Sequence, residues 1–186
     1  MRTVIVYESL FGNTRKIAEA IAEGIRTQQP DTEVACVPVT AGTAALIREA
    51  DLVIVGGPTH MRGMSSGMTR KMGVQGEQKK TPDIHVEPGF DGPGLRDWFH
   101  GLDKRAGSAS GAAFDTRAGV GMAGGAVPGI ARRLRRHGYR VLATEGYIIN
   151  DTRGPLRAGE LDRARDWGAS LSRQLIVRDE HLGHHS

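Results

Sequence analysis

The chain has one cysteine, few aromatic residues (5%) and no surplus of acid: 25 Lys and Arg stand against 21 Asp and Glu, for a formal charge of +4. A lone Cys36 excludes an internal disulfide, and its place in the apolar run Val34 to Val39 predicts a buried structural thiol rather than a nucleophile. Nowhere do about 18 apolar residues follow one another, so no membrane span is predicted. Met1-Arg2-Thr3 leads straight into a strand-like run without a basic, then apolar, leader, which predicts a cytoplasmic protein. The basic residues are dispersed among the acids, so nucleic acid is not an expected partner. No repeat, serine or cysteine triad, carboxylate pair or metal-ligand cluster stands out, and no residue is assigned a catalytic role. His181, His184 and His185 lie beyond the last predicted helix, in a tail (179–186) expected to be disordered after a single domain over 1–178.

What is present is a strand that turns directly into a helix. Val4-Ile5-Val6-Tyr7 is apolar on both faces, as in a buried parallel strand, and Ile17, Ala18, Ile21, Ala22 and Ile25 form a stripe of helical period that ends before Pro30. Between them lies Glu8-Ser9-Leu10-Phe11-Gly12-Asn13-Thr14. The first amides of such a helix have no intrahelical partner and carry the positive end of its dipole, a natural seat for an anion. Ser9 and Thr14 add hydroxyls, and Gly12 lets the backbone curl. This turn matches neither GxxxxGK[ST] nor GxGxxG, so it fits a single terminal phosphate better than a nucleoside triphosphate or a dinucleotide. The same residues also suit a plain strand-to-helix connection.

Strand and helix signals then alternate. Strands are predicted at 3–7, 33–38, 51–56, 110–115 and 140–149, and helices at 13–27, 43–49, 95–104, 127–138 and 159–177. The pattern predicts an α/β three-layer sandwich: a doubly wound five-stranded parallel sheet with right-handed crossovers and a ligand at the carboxyl ends of the strands. The turns after the first, third and fourth strands should meet there: Glu8 to Thr14, Gly56 to Met64, and Asp115 to Gly125. The long segment 65–94 reads as irregular, and loops of that length are usually functional or mobile. Trp98 and Phe99 share a helical stripe with Leu95 and Leu102, which predicts core packing.

The first turn resembles the phosphate loop of the flavodoxin family, [ST]-x-T-G-x-T, with Phe11 in place of the loop's second hydroxyl residue. Asp51 to His60 and Ala113 to Arg117 resemble that family's second and third flavin-contacting segments, and the likeness spans nearly the whole chain. It implies the strand order 2-1-3-4-5 and FMN as cofactor. Ser9, Gly12, Asn13, Thr14 and the amides of Leu10 and Phe11 would then hold the phosphate, with Pro58, Thr59, His60, Met61, Arg62, Gly63, Asp115, Thr116, Arg117 and Gly119 near the isoalloxazine ring. Short flavodoxins offer Trp and Tyr faces to the ring; these loops have none.

Small flavodoxins are acidic, and this chain is not. At an assumed ~8 Å and effective dielectric of ~20, a cation such as Arg62 or Arg117 acts on a reduced flavin by about 2 kcal/mol, or ~90 mV. A less negative potential for its last reduction step is therefore expected. Arg132, Arg133, Arg135 and Arg136 crowd one helix and read as a solvated face or a docking patch. Met61, Met64, Met68 and Met72 would line one side of a short helix, as core or as an adaptable surface beside the flavin. Three functions follow from the resemblance: an FMN-binding electron carrier, an FMN-dependent NAD(P)H:quinone oxidoreductase, or a flavin-free binding module. The partner would be a redox protein or a small quinone, and the protein a monomer or small homo-oligomer.

Overall fold

The computed structural model describes residues 1–60, 63–64, 67–105, 109–119, 125–151 and 153–183, with backbone alone for His60 and 178–183. Five parallel strands form its centre: β1 (Arg2–Tyr7), β2 (Glu33–Pro38), β3 (Leu52–His60), β5 (Ser110–Ala118) and β6 (Arg140–Ile149), in the order β2-β1-β3-β5-β6. A two-residue strand, β4 (Gly63–Met64), folds back antiparallel on the end of β3. Without that short return the order is 2-1-3-4-5, as expected.

Alternation along the strands sorts the core into two layers. Val4, Val6, Val53 and Val55 point to one face, where they meet Leu95 and Phe99 of α4 (Leu95–His100) and Ile130 and Leu134 of α5 (Ala126–Arg136). Ile5, Leu52 and Ile54 point to the other, against Ile17 and Ile21 of α1 (Asn13–Gln28) and Leu171 of α6 (Glu160–Gly183). Phe99 is buried in the first layer and Trp98 packs against it, its indole N–H donating to the Gly42 carbonyl. The expected core role of both holds. A 3-10 turn (Val39–Ala41) and a short helix, α2 (Ala44–Arg48), follow β2.

Four expectations need correction. Segment 65–94 is not irregular throughout: it contains α3 (Gly67–Lys80), whose buried face is Arg70, Val74 and Glu77. An apolar periodicity cannot reveal a helix whose inward residues are mostly charged. The methionines do not share a side, because Met64 is buried on β4 while Met68 and Met72 on α3 are exposed; Met61 lies outside the described residues. The helix predicted over 95–104 stops at His100, and the last helix runs to Gly183 rather than ending at 177.

The last correction concerns the site. Gly56 to His60 and Asp115 to Ala118 are strand, not loop: β3 and β5 stay paired through Pro58 and Thr116. Glycine at 56 serves packing, since a Cβ there would fall on the Phe114 ring. Small residues that suggest close approach to a ligand here allow close approach of the protein's own side chain.

Candidate functional site

At the carboxyl end of β1 the chain turns through Ser9 to Gly12 into α1. Gly12 has φ of 87°, the left-handed region that a side chain disfavours. Its amide donates to Ser9 Oγ over 3.1 Å, which leaves the Ser9 hydroxyl proton unspent. Among the described residues, no hydrogen bond engages the amides of Leu10, Phe11, Asn13, Thr14 or Arg15. Five backbone donors and one hydroxyl thus face one turn at the positive end of a 16-residue helix.

The side chains of Asn13 and Thr14 are turned to structural partners. Asn13 Nδ2 donates to the Arg153 carbonyl over 2.8 Å. Thr14 Oγ1 meets Thr116 Oγ1 at 2.7 Å with both residues buried, tying the start of α1 to β5. One hydroxyl of that pair donates to the other, so one proton remains for a ligand. The structure therefore brings Ser9, Leu10, Phe11, Gly12, Asn13, Thr14 and Thr116 together.

A second group, which the sequence did not disclose, props this turn from outside. Glu8 is buried; its Oε2 accepts from the Leu95 amide at 2.8 Å and faces Arg70 Nη1 at 3.5 Å. Arg70, itself 2% exposed, donates to the Phe90 and Gly92 carbonyls over 3.0 and 2.5 Å. Glu87 donates its amide to the Leu10 carbonyl (2.8 Å) and pairs through its carboxylate with Arg15 Nε (3.0 Å) beside Gly12. Arg153 bonds Glu77 at 3.1 Å and Thr81 at 2.6 Å. Segment 67–94 is thereby strapped over the first turn by three charge pairs. Only the charges of Glu8 and Glu87 hinted at this, and their partners are distant in sequence.

Between the strap and the ends of β1 and β2 lies a cavity of about 230 Å³, walled by Tyr7, Ser9, Val39, Pro88 and Phe90 among others.

The residues expected around a flavin ring are partly brought near. Asp115 is fully buried at the end of β5, where Oδ2 accepts from Thr59 Oγ1 (3.0 Å) and from the Val127 amide (3.2 Å). Thr59 Oγ1 in turn accepts from the Ala126 amide at 2.9 Å. Burial pushes the Asp115 carboxyl above its ordinary range, opposed by the Val127 amide and by the Arg117 charge. Arg117 Nε stands 3.8 Å from Asp115 Oδ1, and the guanidinium lies over Gly146 of β6. Pro58 is paired within β3, and Gly119 ends β5 with φ of 78°. His60 and Gly63 take part in the β3–β4 return. Met61 and Arg62 lie outside the described residues.

Cys36 is half-buried on β2, and burial pushes its thiol up to about 12, an unreactive state at neutral pH. Among the described residues, no group of three or more His, Cys, Asp or Glu side chains is placed to hold a metal. No helix among them is long and apolar enough to cross a membrane.

Residues 5–88 match the flavodoxin family profile. A flavodoxin of Aquifex aeolicus is 38% identical over 69 residues, a stretch that spans 37% of this chain and 37% of that protein. Among solved structures, a flavodoxin from the domain Archaea superposes with a TM-score of 0.61 at 19% identity, covering 95% of this chain and 99% of that one. Oxidised flavodoxin 1 of Bacillus cereus gives 0.60 at 18% identity, covering 91% and 95%. The chain is thus similar to flavodoxins in sequence over residues 5–88 and shares their fold over nearly its whole length.

Proposed function

We propose that this protein binds FMN by its phosphate in the Ser9 to Thr14 turn and passes electrons between redox partners. The observation that carries the reading is the set of unspent donors at the start of α1: five amides and the Ser9 hydroxyl converge on one turn, with no side-chain carboxylate accepting from them. A doubly charged phosphate satisfies such donors and the helix dipole together. Gly12 holds the turn at φ of 87°, a conformation that a residue with a side chain adopts only under strain, and so lets the backbone curl there. Bound FMN supplies one- and two-electron chemistry that no side chain here supplies. The chain's own part is to hold the phosphate, to brace the turn through Thr14–Thr116 and the 67–94 strap, and to decide who reaches the ring.

Calorimetry and a visible spectrum on adding FMN test the proposal. Heat and a flavin spectrum with one site are expected, and Ser9→Ala should weaken binding by about 1.5–3 kcal/mol, as for a hydrogen bond to a charged group. Absence of heat in the unaltered protein would select the flavin-free module.

The cavity beside Ser9, lined by Tyr7, Val39, Pro88 and Phe90 together with the charged Glu8, Arg70 and Glu87, favours a second reading, an FMN-dependent NAD(P)H:quinone oxidoreductase, since its volume of about 230 Å³ accommodates a quinone ring. Turnover of NADPH with benzoquinone at roughly 1–1000 per second would establish it over the carrier.

A further inference from the structure

The densest positive charge of the molecule is assembled by the fold rather than by one run of sequence. Arg132, Arg133 and Arg136 lie on one side of α5, opposite the buried Ile130, Ala131 and Leu134. Arg96, from α4, reaches the same place, and its guanidinium donates to the Met64 carbonyl on β4 over 2.9 Å. Arg133 is half-buried, and its pKa is lowered by burial first and then by Arg96, Arg132 and Arg136. Among the described residues, no carboxylate pairs with any of these four. Arg2, Arg15, Arg70, Arg153, Arg163 and Arg165 have acidic partners, and what sets the four apart from other unpaired arginines is that Arg133 is crowded by the other three. Four uncompensated guanidinium groups that repel one another are a cost to folding alone, and the cost is offset only when an opposite charge arrives.

The patch also has a place. Arg96 is bonded to the β3–β4 return, which projects from the carboxyl end of the sheet, and Arg133 lies two helical turns, ~10 Å, from the start of α5 at that same end. Arg96 and Arg133 thus stand toward the end of the sheet that carries the Ser9 to Thr14 turn, while Arg132 and Arg136 extend the patch down the last turns of α5.

We infer that Arg96, Arg132, Arg133 and Arg136 form the docking surface for an acidic protein, the redox partner of the site proposed above. This deepens the electron-transfer reading and rests on it for the partner's role, but the docking can be measured without the flavin. The surface is spread over two helices, with Arg96, Arg132 and Arg136 exposed, a breadth that suits a partner's face. Guanidinium forks pair bidentately with Asp and Glu side chains, and opposed charge chiefly sets encounter rate and salt dependence.

The test uses the full-length protein, with and without FMN, and a strongly acidic plant-type [2Fe–2S] ferredoxin as probe. Binding is expected at about 20 mM salt and should weaken at least ~10-fold at about 300 mM, where the Debye length has shrunk to a few ångströms. Arg132→Gln, Arg133→Gln and Arg136→Gln together should cost at least ~10-fold in affinity, with a melting temperature that does not fall, since their mutual repulsion is removed, and an unchanged FMN titration. Arg26→Gln with Arg173→Gln, on α1 and α6 at the other face of the sheet, should change nothing. The inference fails if ferredoxin does not bind at low salt, if the triple substitution leaves binding intact, or if duplex DNA binds more tightly than ferredoxin through the same arginines. Docking without any FMN binding would keep this surface and sink the flavin reading instead.

Discussion

Two strand-to-helix turns of this molecule are alike in composition and opposite in state. The turn from β1 to α1 carries Gly12 and hydroxyl residues, and its helix amides are unspent. The turn into α5 carries Gly119 and Gly125, but the amides of Ala126 and Val127 are already satisfied by Thr59 Oγ1 and Asp115 Oδ2. Asp115 occupies the anion seat of the second helix from within the fold. Glycine and a helix amino terminus make an anion site available; an internal carboxylate decides whether it is open.

The props differ too. The start of α5 is held by Asp115 of β5 and Thr59 of β3. The first turn is held by a separate segment, through a nearly fully buried Glu8–Arg70 pair. Arg70→Met removes that cation and the donors to Phe90 and Gly92, and is expected to cost about 3–5 kcal/mol, the range for breaking a buried ion pair. Urea unfolding measures it. If the strap serves the first turn alone, FMN affinity should fall as well, whereas a change confined to α3 would leave affinity intact.

A smaller effect separates the turns sterically. Gly12→Ala must hold a side chain at φ of 87° with its Cβ 3.1 Å from Glu87 Oε1. About 1–2 kcal/mol of stability should be lost, together with phosphate affinity. A melting curve and an FMN titration on one preparation check both.

The smallest change is expected at the closed turn, and it is one of sign. The folded carboxyl of Asp115 is raised by burial, so the folded state binds its proton more tightly than the unfolded chain does. Stability from this group is full below the ordinary carboxylate value of about 4 and declines as pH climbs from there through the raised folded value. Asp115→Asn keeps an acceptor for Thr59 or Val127 and abolishes this decline. The difference between unaltered protein and variant, followed by urea unfolding from pH 4 upward, should narrow or reverse as pH rises. A difference that grows in favour of the unaltered protein would mean that the carboxylate is needed charged.

Much of this was legible in the chain. The α1 stripe Ile17, Ile21 and Ile25, and the apolar strands beside it, announced a parallel sheet because burial imposes its period on apolar residues. The free amides of the first turn were legible for a related reason: helix amides and Gly12 act through the backbone, close in sequence. The strap was not, since α3 turns Arg70 and Glu77 inward and no periodicity of apolar residues marks it. Nor was the continuation of β3 through Pro58 and of β5 through Arg117, whose small and polar residues resemble loops until they are seen paired.

The amino-acid order alone determined the alternation of elements, the two faces of each strand and the place of the first turn, all consequences of local backbone chemistry and hydrophobic period. The tertiary structure decided which glycine-rich turn stays open, through Asp115, which arginine is buried, through Glu8, and which arginines gather unpaired beside Met64. Those outcomes depend on charges far apart in the chain meeting at a few ångströms, and only the closed fold sets such distances.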